Sequence, residues 1–138
     1  MEHKKIGFTC SAFDLLHCGH VVMLQEAKQN CDYLIAGLQT DPSIDRKDKN
    51  KPIQSIFERH TQLSAIKYVD EIVPYDTEQS LLDLLKTLQI NIRFVGEEYK
   101  NQKFTGKGLH EVFYTSRRHS FSTTVLRQQL ISIHNKGA

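Results

Sequence analysis

The run Tyr33–Gln39, YLIAGLQ, constrains the fold more than any other stretch of the chain. It is apolar nearly throughout and does not alternate, as expected of a strand covered on both faces. Strands of that kind sit in parallel sheets, whose crossover helices supply the cover. The flanking segments keep the same rhythm. Lys4–Cys10 (KKIGFTC), Glu71–Tyr75 (EIVPY), Ile92–Gly96 (IRFVG) and Glu111–Thr115 (EVFYT) read as further strands. Leu24 and Ala27 give a helical face over Gly19–Asn30. Ser55 and Glu58 form a capping box that starts a helix over Ile56–Tyr68. Thr77 caps a helix carrying Leu81, Leu82, Leu84, Leu85 and Leu88, and Ser122 caps a last one, TTVLRQQLISIH. This order predicts an α/β fold: a single Rossmann-like, doubly wound domain over residues 1–138 with a five-stranded, mostly parallel sheet.

Composition narrows the partners. The chain has 138 residues, 39% hydrophobic and 25% charged, enough for a real core in one unit. A formal charge of +2 is too small to make nucleic acid the main partner. No apolar run approaches the ~18–20 residues of a membrane span, and the N-terminal MEHKK lacks the apolar stretch of a signal peptide. Cys10, Cys18 and Cys31 form no CxxC pair and read as reduced thiols, so a cytoplasmic location is expected. Two polar stretches break the rhythm. Thr40–Gln54 is basic and holds two prolines, and Glu97–Gly108 follows another strand. Both should open on the carboxyl edge of the sheet, where long loops carry function.

The same edge receives SAFDLLHCGH, Ser11–His20, between the first strand and the first helix. Four explanations compete for its histidines. A zinc site needs a third protein ligand, and neither HExxH nor a cysteine pair supplies one. A serine hydrolase needs a GxSxG elbow, and Ser11 is not in one. Two core histidines flanking a glycine would be an unusual pairing. A phosphate-binding turn has a physical basis: a helix starting near Gly19 points free N–H groups and its positive dipole end at the crevice. Gly19 admits close approach of a ligand to the backbone. His17 and His20 can add hydrogen bonds to phosphate oxygens.

On these residues the chain resembles the HxGH nucleotidyltransferases. FDLLHCGH (Phe13–His20) is similar to the cytidylyltransferases, most of all to the glycerol-3-phosphate type. RRHSFSTT (Arg117–Thr124) resembles the late R-T-x-G-I-S-T-T motif of that family. YVDEIVPY (Tyr68–Tyr75) and VGEEY (Val95–Tyr99) resemble two further family stretches, and Arg59 in FERHTQL matches a family arginine. The likeness runs from about Ile6 to Leu130.

The resemblance implies a reaction and a set of roles. A phosphorylated small alcohol or sugar attacks the α-phosphorus of CTP in line, and pyrophosphate leaves without a covalent enzyme intermediate. His17 and His20 contact the triphosphate and stabilise the transition state. A lysine of the Arg46–Lys51 loop clamps the phosphates, Lys47 or Lys49 before Lys51; the plainer reading is a solvated basic loop. Lys49 and Arg117 join the histidines as catalytic groups. Ser11, Ala12, Phe13, Asp14 and Gly19 make the nucleotide floor, with Arg59, Gly96, Glu97, Tyr99, Ser122 and Thr123 around it. Asp14 holds Mg²⁺ or orders its loop, or forms an ordinary Asx turn. Mg²⁺ is expected on the triphosphate rather than in a protein cage. Asp41 and Arg118 face the acceptor. Relatives of this type imply a homodimer.

Several letters depart from the family pattern. Ser11–Ala12 replaces glycine–threonine, Arg118 replaces a threonine, Ser120 replaces a glycine, and GEEY replaces GDDW or GDDY. The segment between Lys103 and Glu111 is short. These changes surround the nucleotide and acceptor and spare both histidines. Arg118 would suit an acceptor more acidic than glycerol 3-phosphate. Two alternatives stand beside the CTP reading. One is an adenylyltransferase of the ADP-heptose or FMN type, which uses a similar FDxxHxGH core; the other is a non-catalytic nucleotide-binding module.

Overall fold

A computed structural model describes residues 4–116 and 123–136. Five strands alternate with helices: β1 (Ile6–Ser11), α1 (Cys18–Gln29), β2 (Tyr33–Gln39), α2 (Ile56–Ser64), β3 (Glu71–Tyr75), α3 (Glu78–Thr87), β4 (Ile92–Gly96), β5 (Glu111–Thr115) and α4 (Thr123–Lys136). A short 3₁₀ turn, Glu97–Tyr99, follows β4. The strands form one sheet in the order β3-β2-β1-β4-β5, and every pair is parallel. The expected sheet is therefore present, and parallel throughout rather than mostly.

Covering both faces requires two cores, and two are found. Leu34, Ala36 and Leu38 of β2 pack with Leu24 and Ala27 of α1 and Leu63 of α2. On the other face Phe8 and Ile35 pack with Leu81 and Leu85 of α3. Neighbouring residues of β2 thus enter opposite cores, which is why YLIAGLQ shows no polar alternation. β1 is the central strand, and its side chains divide in the same way. Phe8 enters the α3-side core, while the Thr9 hydroxyl lies 3.7 Å from Met23 Sδ on α1.

Local chemistry sets the element ends. Ser55 and Glu58 form the predicted capping box on α2, and Thr77 caps α3 with Ser80 reaching back. α2 stops at Ser64 instead of continuing to Tyr68, with Ala65 as its C-cap. Ile66, Tyr68 and Val69 leave the helix to pack on the α1-side core, and the Asp70 N–H reaches the Leu34 carbonyl to align β3. α1 begins at Cys18, a position before Gly19, because His17 is its N-cap. Among the described residues no helix is long and apolar enough to cross a membrane, and all three cysteines are free thiols.

Close packing at the centre leaves no room for a side chain at Gly7. A Cβ there would lie 2.4 Å from the Phe94 ring and 2.9 Å from Cys31 Sγ. Phe94 is itself wedged against Phe113, with ring centroids 5.7 Å apart. Gly7→Ala should therefore lower stability by about 1–3 kcal/mol, the usual cost of overpacking a core. Urea unfolding of the two proteins measures this directly.

Candidate active site at the carboxyl edge

The strand order reverses direction between β1 and β4. From β1 the chain crosses by α1 to β2, while β4 leads to β5 on the other side, so a crevice opens beyond their carboxyl ends. A cavity of about 660 Å³ lies there. Ser11, Ala12, His17, Gly19 and His20 form its floor, Lys49 comes from the β2–α2 loop, and Gly96, Glu98 and Tyr99 come from the end of β4.

Its floor is held by a reciprocal cap. The backbone N–H of Gly19 donates to Nδ1 of His17 at 3.0 Å, and the N–H of His17 donates to Nδ1 of His20 at 3.2 Å. His17 and His20 thus occupy the N-cap and N3 positions and satisfy two of the N–H groups that a helix start leaves open. An Nδ1 that accepts a hydrogen bond carries no proton, so each ring's N–H is on Nε2. The rings stack with centroids 4.0 Å apart. Burial, and then the neighbouring His17, push the His20 pKa down to about 4, against a smaller opposing pull from Asp14. His20 is accordingly neutral at physiological pH, a hydrogen-bond donor rather than a proton donor.

The turn before the cap is strained and clamped. Phe13 and Leu15 have φ of 49° and 50°, left-handed values that cost energy for residues with a Cβ. Between them the Asp14 carboxylate, 6% exposed, accepts from the N–H groups of Ile53 and Gln54 at 2.9 Å each and from Arg127 at 2.6 Å. The Leu15 N–H donates to Gln54 Oε1, the Phe13 N–H donates to Ser11 Oγ, and the Phe13 ring is buried in the α1-side core. Arg59, 2% exposed, completes the clamp. It donates to the carbonyls of Ala12, Gln39, Thr40 and Gln54.

These contacts divide the predicted site residues. Ser11, Ala12, His17, Gly19, His20, Lys49, Gly96 and Tyr99 come together around the cavity. Phe13, Asp14, Asp41, Lys47, Arg59 and Glu97 do not line it. For Asp14 and Arg59 the reason is direct: their polar atoms are engaged with backbone groups and with Arg127, and they shape the loops instead of facing a ligand. Asp41 is turned onto Ser43, whose N–H and hydroxyl it accepts at 2.9 and 2.6 Å. Arg117, Arg118 and Ser122 lie outside the described residues, and Thr123 is the first residue of α4. Three contributors were missed in the sequence. Arg127 reaches Asp14 across 113 positions, and no local pattern announces it. Arg46 lines the cavity in an ion pair with Glu78 at 3.1 Å. Arg93 lines it from within β4, and the lone charge in the apolar run IRFVG was the available signal.

Among the described residues no group of three or more His, Cys, Asp or Glu could hold a metal ion. With Asp14 engaged elsewhere, the donor set fits Mg²⁺ carried on a nucleotide triphosphate better than Mg²⁺ in a resident cage.

An open parallel sheet whose strand order reverses is a doubly wound α/β architecture, and folds of that class bind ligands in the crevice at the switch point, where the imidazole-capped helix begins. The cytidylyltransferase-like family profile matches residues 8–129, and the chain belongs to that family. Bifunctional protein HldE of Campylobacter jejuni (strain RM1221) is 39% identical over 107 residues, covering 77% of this chain and 23% of the relative. Bifunctional protein HldE of Caulobacter sp. (strain K31) is 41% identical over 103 residues, covering 74% and 21%. The chain thus spans about a quarter of the length of these curated relatives. Among solved structures, the lipopolysaccharide core biosynthesis protein from Thermoplasma volcanium GSS1 has a TM-score of 0.61 at 19% identity, covering 96% of this chain and 90% of that one. Pantoate-beta-alanine ligase from Francisella tularensis has a TM-score of 0.65 at 17% identity, covering 99% and 70%. Likeness at these identities concerns the fold.

The cap makes stability depend on acid. His20 titrates at about 4 in the folded chain and near 6.5 when unfolded. Protons therefore bind the unfolded chain more readily. The stabilisation from the neutral ring is complete above pH 6.5 and is lost as pH falls toward 4. Melting temperature should drop steadily across that window, and His20→Gln should flatten this part of the profile.

Proposed function

We propose that the chain is an adenylyltransferase unit that joins AMP from MgATP to a small sugar-like phosphate and releases pyrophosphate. The observation that carries this reading is the reciprocal cap, which fixes two Nε2–H donors at a helix N-terminus beside the cavity. An oxygen of the acceptor phosphate attacks the α-phosphorus in line and forms the new P–O bond. The bond from the α-phosphorus to the bridging oxygen breaks, and pyrophosphate leaves with the electron pair. The attacking phosphate is already anionic, so positioning and charge stabilisation are what the protein must supply.

His17 and His20 hydrogen-bond the phosphate oxygens where negative charge builds up, with the α1 N-terminus behind them. Being neutral, His20 can do this without giving up its proton. Lys49 draws the β/γ-phosphates toward the β2–α2 loop. Arg117, Ser122 and Thr123 are assigned the far end of the triphosphate from their sequence motif. Bound Mg²⁺ neutralises triphosphate charge.

ATP as donor, in place of the expected CTP, is supported by the HldE relatives, since the ADP-heptose type is one of the two adenylyl-transferring types with an FDxxHxGH core. Glycerol 3-phosphate loses its place as the leading acceptor for the same reason. Pyrophosphate release, measured with ATP and CTP against a panel of sugar phosphates, tests the donor; kcat/KM should favour ATP by roughly tenfold or more, as expected when a site is built to hydrogen-bond one base. A preference for CTP would overturn the choice of donor. His17→Ala should lower kcat about 10²–10³-fold, as for the loss of a preorganised transition-state donor.

A further inference from the structure

The cavity continues past the histidines onto the opposite face of the sheet, where it holds a buried cation with no counter-ion among the described residues. Arg93 stands between Ile92 and Phe94, which enter the α1-side core, so its side chain goes to the α3 side. It is 5% exposed and lines the cavity. Nη1 donates to the Thr105 carbonyl, Nη2 lies 4.0 Å from Cys10 Sγ, and Cζ sits 5.0 Å from the centroid of the Phe104 ring. Nε has no hydrogen-bond partner among the described residues. No carboxylate pairs with Arg93 among them either.

Burying an unpaired charge is costly, and proteins normally place an opposite charge beside it. Of the other charged residues lining the cavity, Arg46 and Glu78 are paired with each other, and Lys49, Glu98 and Lys103 also line it. On the α3 side Arg93 therefore brings a buried positive charge that no carboxylate among the described residues pairs with. That charge is felt nearby: burial first, and then Arg93, push the His110 imidazole below its ordinary value. Gln39 and Tyr75 line the same half and offer an amide and a phenol to hydroxyl groups.

We infer that this half of the cavity is an acceptor subsite and that Arg93 holds a second oxyanion, a carboxylate or a further phosphate, on a polyhydroxylated acceptor phosphate. The inference rests on the proposed nucleotidyl transfer. The reacting phosphate meets the imidazoles on the α1 side, and the body of the acceptor crosses the sheet edge toward the α3 side. Arg93 makes no bond and breaks none. It determines specificity, because its planar fork matches an oxyanion and the oxyanion supplies the missing counter-charge. The Thr105 hydrogen bond and the Phe104 contact hold that fork in place.

Three matched probes test this: glucose 1-phosphate, glucuronic acid 1-phosphate and glucose 1,6-bisphosphate. Calorimetry measures binding of each, and pyrophosphate release with ATP measures turnover. At least one acidic probe should bind wild type roughly tenfold or more tighter than glucose 1-phosphate, in line with a charge-assisted bidentate contact. Preference for the glucuronate identifies a carboxylate, and preference for the bisphosphate identifies a phosphate. Arg93→Met should erase the difference, while Arg93→Lys, which keeps the charge on a different shape, should retain part of it. Circular dichroism verifies that each variant is folded. Equal binding of all three probes by wild type, binding of none, or a preference that survives in Arg93→Met overturns the inference. Arg93-dependent binding without pyrophosphate release from any nucleotide sinks the transferase reading and leaves the subsite standing. Pyrophosphate release without an acidic preference does the reverse.

Discussion

Two imidazoles cap one helix, and the geometry of the cavity follows from that arrangement. An α-helix leaves its first N–H groups without partners, and short oxygen-bearing side chains usually fill the vacancy. Here His17 and His20 do it for each other's segment, at the N-cap and N3 positions. The three-residue spacing of HxGH is thus the spacing of a capping box. Each ring spends Nδ1 on the backbone and keeps its proton on Nε2. A cap made by serine or aspartate would have satisfied the helix equally well, but it would have no second ring atom to turn toward a ligand. The motif meets the helix's structural requirement with side chains that line the cavity.

A cap of this kind works only if the chain entering it is held still. Asp14 does this from below. It gathers three segments distant in sequence: the strained turn at Phe13–Leu15, the loop end at Ile53–Gln54, and Arg127 on α4. Arg59 performs the parallel task with opposite polarity, giving its N–H groups to carbonyls at the ends of β1 and β2 and to Gln54. One buried anion collects backbone donors, and one buried cation collects backbone acceptors. Each has its desolvation offset by several charge-assisted hydrogen bonds. Left-handed backbone at two non-glycine residues persists because these contacts and the buried Phe13 ring over-determine it.

That pattern explains what could be read in the sequence. The bounds of β2, β3, β4 and β5 were legible: β2, buried over nearly its whole length, declares itself in its apolar letters, and the half-buried edge strands β3 and β5 in short β-branched and aromatic runs. The end of α2 was not, since Ile66, Tyr68 and Val69 suit helical periodicity but find better burial outside the helix. At the site, Ser11, Ala12, His17, Gly19 and His20 face the cavity from a recognisable motif, while Arg46 and Arg93 face it from outside one. Asp14 and Arg59 belong to motif segments, yet a motif does not say whether a charged side chain points at a ligand or back at the chain. Arg127 could not be assigned from its neighbours at all, because its partner is supplied by tertiary structure.

The division between the two faces of the sheet bears on how such a chain relates to its family. Successive residues of β1 point to opposite sides, so Thr9 approaches α1 while Cys10 lies beside the guanidinium of Arg93. The imidazole cap and the α1 dipole belong to one face. Arg93, Gln39, Tyr75 and the Arg46–Glu78 pair belong to the other. A change on the α3 side can alter charge and shape there without touching any hydrogen bond of the cap. Substitutions in that half leave the cap intact, whereas substitutions in Ser11–His20 disturb the hydrogen bonds that hold the turn and the helix start. Likeness to a family should consequently speak more clearly for the reaction than for the acceptor. What distinguishes the second half is the chain's own charges, above all a buried arginine that no carboxylate pairs with among the described residues.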